Sequence, residues 1–204
     1  MIEIRIHGRG GQGAASASMI LARAAHLEGW HVQVLPEFGA ERKGVPVTAF
    51  VRLARQPIHI RSGVYHPDHI LVLDPGIVRS VDVTAGLKED GWVILNSTKP
   101  PSSFEFAGVF QVATVGGTSI AAKHKIGTAT APIVNAIMVG AFARATGLVS
   151  IDAVGAAIAE TLGGSTTDAN IAAAREAFGT LTLSMTLLHE ALLRKEEAHD
   201  RGDA

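Results

Sequence analysis

Six consecutive residues near the start of the chain, Gly8-Arg9-Gly10-Gly11-Gln12-Gly13, have the types and spacing to hold an anion. Glycine admits positive φ and lets the backbone approach a ligand that a Cβ would keep away. Where such a turn joins a strand to a helix, its N–H groups and the positive end of the helix face a phosphate or pyrophosphate. Gln12 either adds a side-chain hydrogen bond to that ligand or ties the loop down. A second candidate is Pro36-Glu37-Phe38-Gly39-Ala40-Glu41-Arg42-Lys43-Gly44-Val45-Pro46, a loop by its prolines and glycines. Arg42 and Lys43 there form either a solvated set of ion pairs with Glu37 and Glu41 or a clamp on phosphates, the guanidinium bidentate and the lysine a point charge. Glu37 also lies where a dinucleotide-binding protein puts its ribose-binding acid, which keeps a nicotinamide nucleotide open. Asn135, inside an apolar stretch, must find partners, in a neighbouring loop or in a ligand. His66-Pro67-Asp68-His69 holds metal-capable groups, but its spacing does not put them on one helical face, and it reads as a turn into a strand rather than a metal site.

These residues need elements to position them. Ile2 to His7 alternates as a strand, Ala14 to about Glu28 is a small-residue amphipathic helix, and His31 to Leu35 is a second strand. The glycines therefore have the strand–turn–helix context that their motif requires. Val47 to Leu53 and Pro57 to Arg61 read as two short strands. His69 to Leu73 and Trp92 to Asn96 are apolar runs suited to buried parallel strands, the first with a helix starting near Pro75. Val109 to Ala113 is a further strand. Helices are expected over Thr118–Lys125, Ala131–Thr146 with Pro132 in its first turn, Ser150–Leu162 with Ser150 as cap, and from Asp168 through Leu193 with a break near Gly179. Together these predict an α/β fold, a Rossmann-like, doubly wound, mostly parallel sheet with a helical C-terminal portion. One domain spans 1–194, and the mixed-charge stretch 195–204 is expected to fray.

Composition narrows the function. The 204 residues are 47% hydrophobic and 18% charged, with net charge −1. Mean hydropathy is +0.26, enough apolar surface to suggest a partner or a buried parallel sheet. There is no basic stripe and only 5% aromatic residues, so nucleic acid is not an expected ligand. No apolar run approaches the ~20 residues of a membrane span, and the chain opens on a strand rather than a signal peptide, so a cytoplasmic protein is expected. The absence of cysteine excludes disulfides, thiol nucleophiles and cysteine-held iron–sulfur clusters in this chain. No Gly-x-Ser-x-Gly elbow is present.

Several blocks in order carry a resemblance. Gly8–Gly13, Pro36–Gly44, Leu71-Val72-Leu73-Asp74-Pro75, Gly86-Leu87-Lys88-Glu89-Asp90-Gly91 and Asn135-Ala136-Ile137-Met138-Val139-Gly140-Ala141 resemble the gamma subunit of 2-oxoacid:ferredoxin oxidoreductases, of which pyruvate:ferredoxin oxidoreductase is the familiar member. The resemblance covers roughly residues 2–180. It implies a multi-subunit enzyme that oxidatively decarboxylates a 2-oxo acid to an acyl-CoA. Thiamine diphosphate and iron–sulfur clusters then belong to partner subunits, and electrons leave through a ferredoxin-like chain. The gamma unit binds coenzyme A and helps assemble the complex. Its expected coenzyme residues are Gly8, Gly10, Gly11, Gln12, Gly13, Arg42, Lys43 and Asn135; no catalytic residue and no metal ligand is expected in it. The missing cysteines fit, as does the lack of the Gly-Asp-Gly block and paired asparagines usual in thiamine-binding chains. The segment Ile120–Gly127 departs from the resemblance in being basic, which marks an altered substrate, an altered partner surface or a phosphate contact. Two other readings stay open: a stand-alone NAD-binding Rossmann oxidoreductase, and an assembly subunit with a vestigial coenzyme site.

Overall fold

The computed structural model describes residues 1–37 and 44–184. Arg42, Lys43 and the 195–204 stretch expected to fray lie outside the described residues, as does any helix beyond Ser184. The glycine turn joins β1 (Ile2–Arg9) to α1 (Ala14–Leu27), which leads to β2 (His31–Glu37). Then come β3 (Pro46–Ala54), β4 (His69–Val72), β5 (Trp92–Asn96) and β6 (Gln111–Val115). The remainder is α2 (Gly117–Lys123), β7 (Gly127–Thr128), β8 (Ala131–Pro132), α3 (Asn135–Thr146), α4 (Ile151–Leu162), α5 (Thr167–Thr180) and β9 (Thr182–Leu183).

The main sheet has seven strands in the order β2-β3-β1-β4-β5-β6-β9. β1, β2, β4, β5 and β6 run one way, and β3 and β9 the other, so the sheet is mostly parallel as expected. Alternation along each strand splits the core. Ile4, Ile6, Val51, Leu71, Ile94 and Ala113 face the layer that holds the α-helices. Ile70, Val72, Val93, Leu95 and Val112 face a smaller cluster roofed by Ile77, Val83, Leu87 and the phenylalanines of 104–110. That second roof is made of short 3₁₀ turns, such as Ile77–Arg79, and loops.

Several local expectations are corrected. Pro57–Arg61 is not a strand, because β2 and β1 already take both edges of β3; the segment is instead held from the side, Gln33 Nε2 donating to the Ile60 carbonyl at 2.7 Å. No α-helix follows Pro75. Asp74 caps the Gly76 N–H at 2.7 Å, and Asp82 takes the N–H and hydroxyl of Thr84, local bonds that compete with helix. The helix expected from Ala131 starts at Asn135, because Ala131–Pro132 pairs with Gly127–Thr128, with Thr128 Oγ1 accepting the Ala131 N–H at 3.0 Å. The strand placed at Val109–Ala113 lies two residues later. α5 stops at Thr180, near the expected break, where the chain turns to pair with β6. Ser150 caps α4 as read, accepting from the Ala153 N–H at 3.1 Å.

Candidate functional site

β1, β4 and β5 all end on one side of the sheet, where open α/β folds take ligands. The glycine loop lies there. Gly11 (φ 93°) and Gly13 (φ 84°) hold left-handed backbone that a side chain would strain, and Gly13 starts α1. The N–H of Gly10 donates to the Val45 carbonyl at 2.9 Å, and the Gly44 N–H to the Gly10 carbonyl at 3.2 Å. The end of the β2–β3 loop is thereby pinned to the glycine loop. Among the described residues, the N–H groups of Gly11 and Gly13 have no protein acceptor. They are the donors left for a ligand, next to the N-terminus of a 14-residue helix.

Gln12 ties the loop down. Its Oε1 accepts the Arg9 N–H at 2.8 Å and its Nε2 donates to Asp74 Oδ2 at 2.9 Å. The same Asp74 oxygen takes Arg9 Nε at 3.0 Å, and Arg9 Nη1 reaches the Gly44 carbonyl at 3.0 Å. Gly8 lies within β1, where a Cβ would sit 3.3 Å from Ala14 Cβ and 3.4 Å from Leu73 Cδ1, a helix–strand contact. Asn135 is buried at the start of α3. Its Oδ1 accepts the Ala136 N–H at 2.7 Å, and its Nδ2 lies 2.9 Å from where a Cβ on Gly13 would be. The long helices α1 and α3 therefore begin side by side. Gly10, Gly11, Gln12 and Arg9 line a cleft of about 210 Å³. Thr130, Ala131 and Pro132 of the small hairpin close its other wall.

Sequence reading left Asp74, Arg9, Asn96 and Thr118 unassigned. Asn96, ending β5, is buried, with Nδ2 donating to the Leu73 carbonyl at 2.9 Å and to Thr118 Oγ1 at 3.0 Å, while its Oδ1 accepts the Thr118 N–H at 3.1 Å. The signal available for it was a polar residue ending an apolar parallel strand. The histidine-rich turn is structural. Asp68 accepts the Glu3 N–H at 2.7 Å and pairs with Lys88 at 2.6 Å, and burial pushes His69 down to about 4. Among the described residues no three His, Asp or Glu side chains gather as a metal site would need, and no helix is long and apolar enough to cross a membrane. In the basic segment near α2, two groups pair with one acid of α5: Lys123 Nζ lies 2.9 Å and His124 Nε2 2.7 Å from Glu176.

Residues 3–180 match the family model of pyruvate ferredoxin/flavodoxin oxidoreductases. The chain belongs to this family. Within it, the chain is a gamma subunit of a multi-subunit 2-oxoacid:ferredoxin oxidoreductase. It is 50% identical over 183 residues to the pyruvate/ketoisovalerate oxidoreductases common subunit gamma of Pyrococcus abyssi, covering 87% of this chain and 96% of that one. Among solved structures, it resembles the pyruvate oxidoreductase subunit PORC of Thermotoga maritima with a TM-score of 0.75 and 36% identity, over 90% of this chain and 98% of that one. The 2-oxoglutarate:ferredoxin oxidoreductase of Magnetococcus marinus, solved with 2-oxoglutarate, coenzyme A and succinyl-CoA bound, shares the fold at a TM-score of 0.65 and 18% identity, over 87% of this chain and 30% of that longer one.

Proposed function

We propose that this gamma subunit binds coenzyme A in the cleft beside the glycine loop, presents it to thiamine diphosphate carried by a partner subunit, and helps hold the catalytic subunits together. The observation that carries this reading is the pair of N–H groups without acceptors, on Gly11 and Gly13, in a loop locked at the N-terminus of α1 and lining a cleft at the C-terminal end of the sheet. Backbone donors at a long helix N-terminus suit a pyrophosphate, and coenzyme A carries one. The Magnetococcus relative, bound to coenzyme A and succinyl-CoA, supports the same assignment. The coenzyme supplies the thiol that accepts the acyl group. Gly11 and Gly13 bind the diphosphate through their N–H groups, and Gln12 and Asp74 hold those groups in place. No catalytic residue is assigned to this chain. Iron–sulfur clusters belong to a ferredoxin-like partner, since 204 residues without cysteine offer no thiolate to hold one.

A nicotinamide site fits less well. β3 separates β1 from β2, so the end of β2 at Glu37 stands two strand spacings, roughly 10 Å, from the end of β1. A Rossmann unit puts these two strands side by side.

The test is Gly11→Ala in the assembled enzyme, with thermal melting as the control for folding. The coenzyme KM is expected to rise about tenfold or more while the 2-oxo acid KM holds. Arg42→Ala combined with Lys43→Ala examines the proposed clamp in the same assay and is expected to move the coenzyme KM in the same direction. An unchanged coenzyme KM in both variants overturns the reading.

A further inference from the structure

The glycine cleft does not end at the loop. Past Thr118 and the buried Asn96, which line both, it continues into a wider trough of about 570 Å³. The trough lies between the turn at 76–79 and the segment 97–104. No aspartate or glutamate lines either arm, in a chain with 19 acidic and 18 basic residues. Asp74, beside the junction, is saturated by Arg9, Gln12 and the Gly76 N–H. Cations line both arms: Arg9 in the narrow one, Arg79 and Lys99 in the wide one.

Arg9 is committed to Asp74 and Gly44. Arg79 and Lys99 have no carboxylate partner among the described residues, although six other lysines and arginines there are in ion pairs with side chains. Phe104 lines the same arm and stacks on Phe106 at 5.6 Å. The wide arm thus offers two free cations and an aromatic face, with no acid to repel an anion. A phosphomonoester on a nucleoside matches that set, since it carries nearly two negative charges at neutral pH and a flat base beside them.

Resting on the coenzyme reading above, we infer that the wide arm takes the nucleotide end of coenzyme A, with Arg79 and Lys99 on its 3′-phosphate and Phe104 against its adenine. The pyrophosphate then crosses the junction to the glycine loop. Arg79 and Lys99 set the preference for the 3′-phosphorylated coenzyme.

The experiment compares coenzyme A with 3′-dephospho-coenzyme A on the assembled oxidoreductase, by KM and by calorimetric Kd, in the natural protein and in Arg79→Ala/Lys99→Ala. Both side chains are exposed, and melting temperature checks folding. The natural protein is expected to favour coenzyme A by about tenfold or more. The double variant is expected to weaken coenzyme A to the level of the dephospho form and to leave the dephospho form unmoved. Equal use of the two coenzymes by the natural protein, or a preference kept intact in the double variant, overturns the placement. Gly11→Ala separates the two levels. If it weakens both coenzymes alike while the double variant keeps the preference, only the placement of the nucleotide end fails. If it moves neither coenzyme, the cleft itself is the wrong site and the placement falls with it.

Discussion

At Asp74 one partly buried carboxylate organises the loop. Oδ2 takes Arg9 Nε at 3.0 Å and Gln12 Nε2 at 2.9 Å, and Oδ1 takes the Gly76 N–H at 2.7 Å. Removing it strands Arg9 and Gln12 at once, and frees the turn that opens the wide trough. Asp74→Ala is expected to lower stability by about 1–3 kcal/mol in chemical denaturation. The same variant should raise the coenzyme KM without moving that of the 2-oxo acid. Equal stability with equal kinetics would show that the loop holds its shape unaided. In the sequence, Asp74 is legible only as one letter of a strand-ending Asp-Pro-Gly. Nothing in its spacing brings it within reach of residues 9 and 12, because that contact is made by the parallel pairing of β1 with β4. Gln12 illustrates the same limit from the other side. Its sequence position allowed either a ligand contact or a tie, and only the geometry of Asp74 selects the tie.

The strands and most helices could be read from periodicity, since β1, β4 and β5 are alternating or continuous apolar runs and α1 and α4 have clear stripes or caps. The direction and place of β3 could not. An alternating run looks the same in either sense, and the insertion of β3 between β1 and β2 comes from pairing, not from local pattern. The missing helix after Pro75 and the late start of α3 were lost to short-range side-chain bonds of Asp82 and Thr128. α3 and α5 cross so closely that a Cβ on Gly140 would lie 2.2 Å from the Ala174 carbonyl oxygen. Gly140→Ala is therefore expected to cost about 1–3 kcal/mol by forcing the helices apart. Gly155→Ala, inside α4 with only an ordinary 3.6 Å contact to Ile171, is expected to be neutral or stabilising by up to ~1 kcal/mol. Thermal melting of the pair checks both, and similar shifts in the two variants would refute the tight crossing.

For the molecule as a whole, one buried histidine, His7, and one half-buried, His69, link folding to pH. Burial, aided by Arg5, lowers His7 to about 4, and its Nε2 accepts Arg5 Nε at 3.0 Å, which requires a neutral ring. Burial lowers His69 to about 4 as well. In the unfolded chain both titrate near 6.5, so between pH 6.5 and 4 the unfolded state binds more protons than the folded one. Stability is thus expected to fall as pH drops through that window, by up to about 1.4 kcal/mol per pH unit for each histidine. Melting temperatures measured from pH 7 to 4 test this, and a flat profile contradicts it; His69→Gln should flatten its share. The position of β3 also sets a timetable. β1 and α1 leave the ribosome before β3 and β4, yet both sheet neighbours of β1 come from residues 46–72. At about 5–20 residues per second, Ile20 and Leu21 wait on the order of several seconds for the sheet that buries them. The glycine loop takes shape well after it is synthesised, because Val45 and Asp74 must arrive before its geometry exists.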